Sequence, residues 1–145
     1  MNFESLQTFA TQNAMLSLAF VGLTVAIIYT EIARLFTGYK AVNSASLTAL
    51  INRDDAQVFD VSAIADFEKG HIVGAKNVVL SQVGPDNKLL AKAKEQPVVL
   101  VCRNGMQSAD AAKRLVKAGF AKVFWLDGGV AAWQQADLPL VKGKN

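Results

Sequence analysis

The chain predicts an α/β domain with a largely parallel sheet, carried behind one membrane-spanning helix. Three observations predict it. Short β-type runs alternate with helix-type segments from residue 44 onward, the pattern of strand–helix–strand units. One run, Pro97-Val-Val-Leu-Val101, is continuously apolar, as in a strand buried on both faces of a sheet. The stretch from Ser5 to Thr30 carries no charged residue and is long enough to cross a bilayer.

Composition agrees. Charged residues make up 19% of the 145 and hydrophobic ones 52%, with a mean hydropathy of +0.25, which excludes a disordered or collagen-like chain. A single cysteine excludes an intramolecular disulfide, and one Cys with one His cannot build a Cys/His zinc site. A net charge of +3, scattered along the chain, gives no nucleic-acid footprint. Neither a metal nor another cofactor is called for.

Residues 1–13 read as an N-terminal tail and 14–34 as the membrane helix. Twenty residues at 1.5 Å each reach about 30 Å, the thickness of a hydrocarbon core. Glu31 falls in the last turn, within reach of the interface, and Tyr29 suits an aromatic belt. A cleaved signal peptide would begin with a basic segment, whereas the only charged side chain before Glu31 is Glu4. Arg34 and Lys40 follow the span and no Lys or Arg precedes it, so a single-pass inner-membrane protein with its C-terminal domain in the cytoplasm is expected. A free thiol suits that reducing compartment.

Residues 35–43 read as a juxtamembrane linker, polar at Lys40 to Ser44, and 44–145 as the domain. Ser44 or Ser46 is expected to cap a helix carrying Leu47, Leu50 and Ile51. Gln57 to Val61 reads as a strand, and Ala63 to Lys69 as a helix stopped by Gly70. Val78 to Leu80 reads as a second strand, followed by the turn Gly84-Pro-Asp-Asn87 and a Lys-rich helix to Lys94. After Pro97 to Val101, a helix is expected over Ala109 to Ala118, ended by Gly119. Lys122 to Trp125 is a further strand and Gly129 to Ala136 the last helix.

Cys102 follows the buried strand directly and precedes a helix, in Cys102-Arg-Asn-Gly-Met-Gln-Ser108. Ligands of open α/β sheets bind beyond the carboxyl ends of the strands. Backbone N–H groups in a loop curling into a helix converge on an anion, and Gly105 permits the tight turn. The same field, with Arg103 beside it, favours a thiolate. A Cys-x5-Arg phosphatase is excluded because Ser108 stands at the arginine position, and a thioredoxin motif lacks its second cysteine. A Cys–His hydrolase would need His71 as base, but its stretch Gly70-His-Ile-Val-Gly-Ala75 suits a hydrogen-bonded structural histidine. A thiolate reaction whose leaving group departs as a stable anion fits best, and sulfur transfer is one.

Several pieces in order carry a resemblance. They are Phe59-Asp-Val61, then Asp66-Phe-Glu-Lys-Gly-His-Ile-Val-Gly-Ala75 with Asn77, then Val99-Leu-Val-Cys-Arg-Asn-Gly105 with Ser108. Leu126-Asp-Gly-Gly-Val-Ala-Ala-Trp133 and Leu138-Pro139 complete them. From about Ser44 to Pro139 the chain resembles the single-domain rhodanese (sulfurtransferase) family. That resemblance implies a rhodanese-like domain with a mainly parallel sheet of about five strands flanked by helices. It also implies a persulfide carried on Cys102, the nucleophile, in a loop from Cys102 to Gln107.

Carried over by position, the amides of Arg103, Asn104, Gly105, Met106, Gln107 and Ser108 form the anion cradle, with Ser108 also a hydroxyl donor. Asp60 and the Gly70-His-Ile stretch read as structural, Gly128, Gly129 and Trp133 as turn and packing residues. Two positions depart. Gln107 and Ser62 stand where many members have arginine, so thiosulfate is expected to be a poor donor and a partner's persulfide a better one.

The expected function is a membrane-anchored sulfurtransferase or sulfur carrier using thiosulfate or a persulfide. The alternative is a membrane-tethered interaction adaptor with little or no activity. Expected partners are a small sulfur-containing anion or persulfide donor, a sulfur acceptor or another membrane protein, and the bilayer through residues 14–34.

Overall fold

The computed structural model describes residues 2–35 and 38–144. Met1 of the tail, Phe36 and Thr37 of the linker and Asn145 of the domain lie outside the described residues. The chain divides into two units, Met1–Phe36 and Thr37–Asn145.

In the first unit the expected tail is a helix, α1 (Phe3–Gln12), separated from α2 (Ala14–Leu35) by Asn13. Asn13 sits outside helical geometry (φ −124°, ψ 50°) while its backbone N–H still bonds Phe9 O, which is how the helix breaks there. Helix α2 has 22 residues and so runs about 33 Å. It is long and apolar enough to cross a membrane, and none of Ala14–Ala33 is buried.

The second unit is built on five parallel strands in the order β1-β6-β5-β2-β4, where β1 is Tyr39–Val42, β2 Gln57–Asp60, β4 Lys76–Asn77, β5 Val98–Val101 and β6 Val123–Leu126. Strand β5 is central, and all four of its residues are buried. Alternation sends its side chains to opposite faces. Val98 and Leu100 join Phe59, Leu115 and Phe120 in one core, under α6 (Met106–Lys117). Val99 and Val101 join Leu47, Phe67, Leu126 and Trp133 in the other, under α3 (Ser44–Asp54), α4 (Ile64–Lys69) and α7 (Gly129–Gln135). A two-stranded antiparallel ribbon, β3 (His71–Ile72) with β7 (Leu140–Val141), ties the C-terminal segment to α4's end.

Five sequence expectations are corrected. Tyr39–Val42, read as linker, is the edge strand β1, parallel to β6. The cap of α3 is Asn43, whose Oδ1 accepts from the Ser46 amide at 2.8 Å, and Ser44 is already inside the helix. The second strand lies at Lys76–Asn77 rather than 78–80, because the Asn77 side chain bonds the carbonyls of Asp60 and Ser62 and closes the ladder. Leu80–Gln82 then forms a 3-10 turn, and the Lys-rich helix α5 covers only Lys88–Lys92. Helix α6 starts three residues before the expected Ala109, because Gly105 at φ +93° turns the loop directly into it.

Candidate functional site

Cys102 follows Val101, the last residue of β5, which is level with Asp60 at the end of the neighbouring β2. The following residues curl back over its sulfur. The Gly105 amide donates to Cys102 Sγ at 3.0 Å and the Ser108 amide at 3.4 Å. Position 105 favours glycine: its φ is +93°, and a Cβ there would come within 3.1–3.3 Å of Gly128 N, the Trp125 ring and Leu126 O. Asn104 adds a side-chain clamp, its Oδ1 accepting from the Met106 amide at 3.0 Å and lying 3.8 Å from Sγ.

The loop is held from behind by α7. The amides of Val130 and Ala131 donate to the carbonyls of Cys102 and Arg103, at 2.9 and 3.2 Å. This close approach requires glycine at 129, the first residue of α7; it and the capping Gly128 both have positive φ. A Cβ on Gly129 would collide with the carbonyls of Cys102 and Arg103.

Of the expected cradle residues, the structure aims the amides of Gly105 and Ser108 at the sulfur. It commits the Met106 amide to Asn104 instead. Ser108 Oγ stands 3.5 Å from Sγ, but its hydroxyl donates to Gly105 O at 2.9 Å, so toward the thiol it is an acceptor rather than the expected donor. Met106 and Gln107 are exposed residues of α6's first turn. The Arg103 side chain pairs with Asp66, with Nη1 3.6 Å from Oδ1. Cys102 itself is free and 1% exposed.

Around the loop, the structural residues behave as expected. His71 is buried, its Nδ1 2.9 Å from Phe67 O, and its ring stacks on Phe67 at 3.8 Å. Trp133 packs in the core and donates through Nε1 to Pro139 O at 2.9 Å. Asp60 is 1% exposed and accepts from the Ser62 amide at 2.9 Å. Burial pushes its carboxyl above the ordinary value of 3.8, more than the Ser62 hydrogen bonds pull it back.

The sequence reading passed over a cleft of about 140 Å³ on the Arg103 side of the loop, lined by Asp60, Ser62, Asp66, Lys69, Arg103 and Gln134 among others. Asp66 and Lys69, three apart and 3.5 Å from each other on α4, were its one local signal. Among the described residues no three His, Cys, Asp or Glu side chains cluster as a metal site.

The comparisons with known proteins agree with this fold. YibN of Escherichia coli K12 is 40% identical over 142 residues, covering 97% of this chain and 99% of YibN. GlpE of Pseudoalteromonas translucida, a thiosulfate sulfurtransferase, is 33% identical over 98 residues, covering 68% of this chain and 91% of GlpE. Among solved structures, a rhodanese-related protein of Thermoplasma volcanium superposes with a TM-score of 0.63 at 24% identity, over 72% of this chain and 100% of that one. A thiosulfate sulfurtransferase of Pseudomonas aeruginosa gives 0.65 at 29% identity, over 73% of this chain and 20% of its own. The rhodanese-like domain model matches residues 43–136, and the chain belongs to that family.

Proposed function

We propose that the protein is a membrane-anchored sulfurtransferase or sulfur carrier, with Cys102 as nucleophile and persulfide carrier and residues 103–108 as its cradle. The observation that carries this reading is the convergence of the Gly105 and Ser108 amides on Sγ, at 3.0 and 3.4 Å. Such donors strengthen when the sulfur is anionic, because a charge-assisted hydrogen bond is about twice as strong as a neutral one. They are therefore placed to hold negative charge on the sulfur as it attacks a donor. GlpE, similar over most of its length, is named a thiosulfate sulfurtransferase, which supports sulfane sulfur as the transferred group. The apolar stretch Ala14–Ala33 of α2, with Arg34 and Lys40 after it, supports an anchor in the inner membrane with the domain on the cytoplasmic side.

A second reading, a tethered adaptor with little activity, draws on the burial of Cys102 at 1% exposure. Intact-mass analysis of the purified full-length protein, after exposure to thiosulfate and to a persulfide, separates the two. The sulfurtransferase reading expects an adduct of one sulfur atom, absent in Cys102→Ser. Failure to form it with any donor would overturn that reading in favour of the adaptor.

A further inference from the structure

The cleft beside the cysteine loop holds charges of both signs. Asp66 Oδ1 lies 3.5 Å from Lys69 Nζ and 3.6 Å from Arg103 Nη1, and these side chains are 41%, 73% and 77% exposed. Both separations exceed the roughly 2.7–2.9 Å of a tight charge-assisted hydrogen bond. Pairs this long and this wet contribute little to stability and open cheaply. Once open, the cleft presents the Asp66 carboxylate and two cations at its mouth, with the buried carboxyl group of Asp60 in its wall. A ligand with both an ammonium and a carboxylate satisfies both sides, whereas a small dianion meets repulsion from Asp66.

Size narrows the class further. A closed cavity of about 150 Å³ accepts benzene, so a cleft of about 140 Å³, open on one side, seats a molecule of six to eight or so heavy atoms. A single amino acid with a short side chain has that size. The cleft borders the cysteine loop: Arg103, the residue after Cys102, lines it, while Cys102 itself lies buried behind that wall. Val130 and Ala131, whose amides hold the carbonyls of Cys102 and Arg103, form part of its wall.

We propose that this cleft seats the amino-acid end of a small persulfide donor of the cysteine-persulfide class, with Asp66 taking its ammonium and Arg103 its carboxylate. The assignment rests on Cys102 being the sulfur carrier. In the transfer, the Cys102 thiolate attacks the outer sulfur of R–S–SH. A new sulfur–sulfur bond forms as the donor's breaks, the outer sulfur keeps its proton, and the donor departs as the thiolate RS⁻. No oxidant or reductant is needed.

Two measurements test it on the full chain in detergent. The first is a titration of Cys102→Ser protein with S-methylcysteine, an unreactive zwitterion of the proposed class. Saturable binding is expected, weakened about fivefold or more by Asp66→Asn and by Arg103→Gln. Absence of saturable binding, or equal binding by Asp66→Asn, would overturn the assignment. The second compares donors with Cys102 in place. Asp66→Asn should lower the rate with cysteine persulfide and raise it with thiosulfate, a crossing that general damage to the fold would not give. Parallel losses with both donors would count against the assignment. The two ideas fail separately. Zwitterion binding through Asp66 without sulfur uptake by Cys102 removes sulfur transfer and keeps the cleft as an amino-acid site. Sulfur uptake without zwitterion binding does the reverse.

Discussion

Asp60 is a carboxyl group placed where a carboxylate is expensive. It ends β2 beside the cysteine loop at 1% exposure, and burial raises its proton affinity above the ordinary 3.8. Hydrogen bonds from Ser62 and the proximity of His71 work the other way, and Asp66 adds to the rise. Because the folded state holds this proton more tightly than the unfolded chain, the group's contribution to stability is fully present below 3.8 and is lost as pH rises through the folded value. Asp60→Asn keeps an oxygen to accept from the Ser62 amide and removes the titration. Its melting temperature relative to the parent should therefore be more favourable near pH 7 than near pH 4. An equal difference at both pH values would contradict the burial argument. At this scale the sequence showed Cys102, Gly105 and Asp60 clearly, because each sits in a local motif. The Arg103–Asp66 pair was not legible, since it joins a loop to a helix far away in the chain and depends on how two elements pack.

The element that fixes the loop is α7, and it does so through backbone atoms. Its first amides take the carbonyls of Cys102 and Arg103, an approach that leaves no room for a side chain at Gly129. Gly129→Ala adds a left-handed residue (φ +61°) to a direct collision, whereas Gly74→Ala (φ +80°) meets nothing within 4 Å and bears the backbone strain alone. Denaturant midpoints should show a loss of about 1 kcal/mol for Gly74→Ala and roughly 2–6 kcal/mol for Gly129→Ala. Similar losses would mean that the approach of α7 to the loop is not what requires glycine. Strongly patterned elements such as β5 and α6 were readable from the sequence. The two-residue strands β3, β4 and β7 and the edge strand β1 were not, because their pairing partners rather than their own residues make them strands. Tyr39–Val42 carries an exposed lysine and has no apolar run of its own, and only β6 alongside gives it a ladder.

For the molecule as a whole, the apolar α2 dictates how the protein should behave in a cell extract. It should sediment with membranes, stay there in high salt and be released by detergent, because burial of a whole span is insensitive to screening while a basic patch is not. Release by salt would overturn the proposed anchor. Protease added outside spheroplasts should leave the domain intact, and digestion there would reverse the proposed orientation. The α/β class and the apolar helix were legible because each rests on many residues. The helical form of residues 3–12 was not, because a polar segment with Phe3, Leu6 and Phe9 reads as a tail until its backbone is seen.

The direction of the first strand has a mechanical consequence. Tyr39 and Val98 are both level with Val123, and all three strands run the same way. The cysteine comes four residues after Val98, so the loop lies about 13 Å farther along the sheet than the point where the chain enters β1. A sheet with every strand aligned has two unlike poles, one where the chain enters β1 and the other carrying the thiol. A force applied where the chain enters β1 therefore loads an edge strand at the pole remote from the loop, with β6 lying between it and the strand that carries the cysteine.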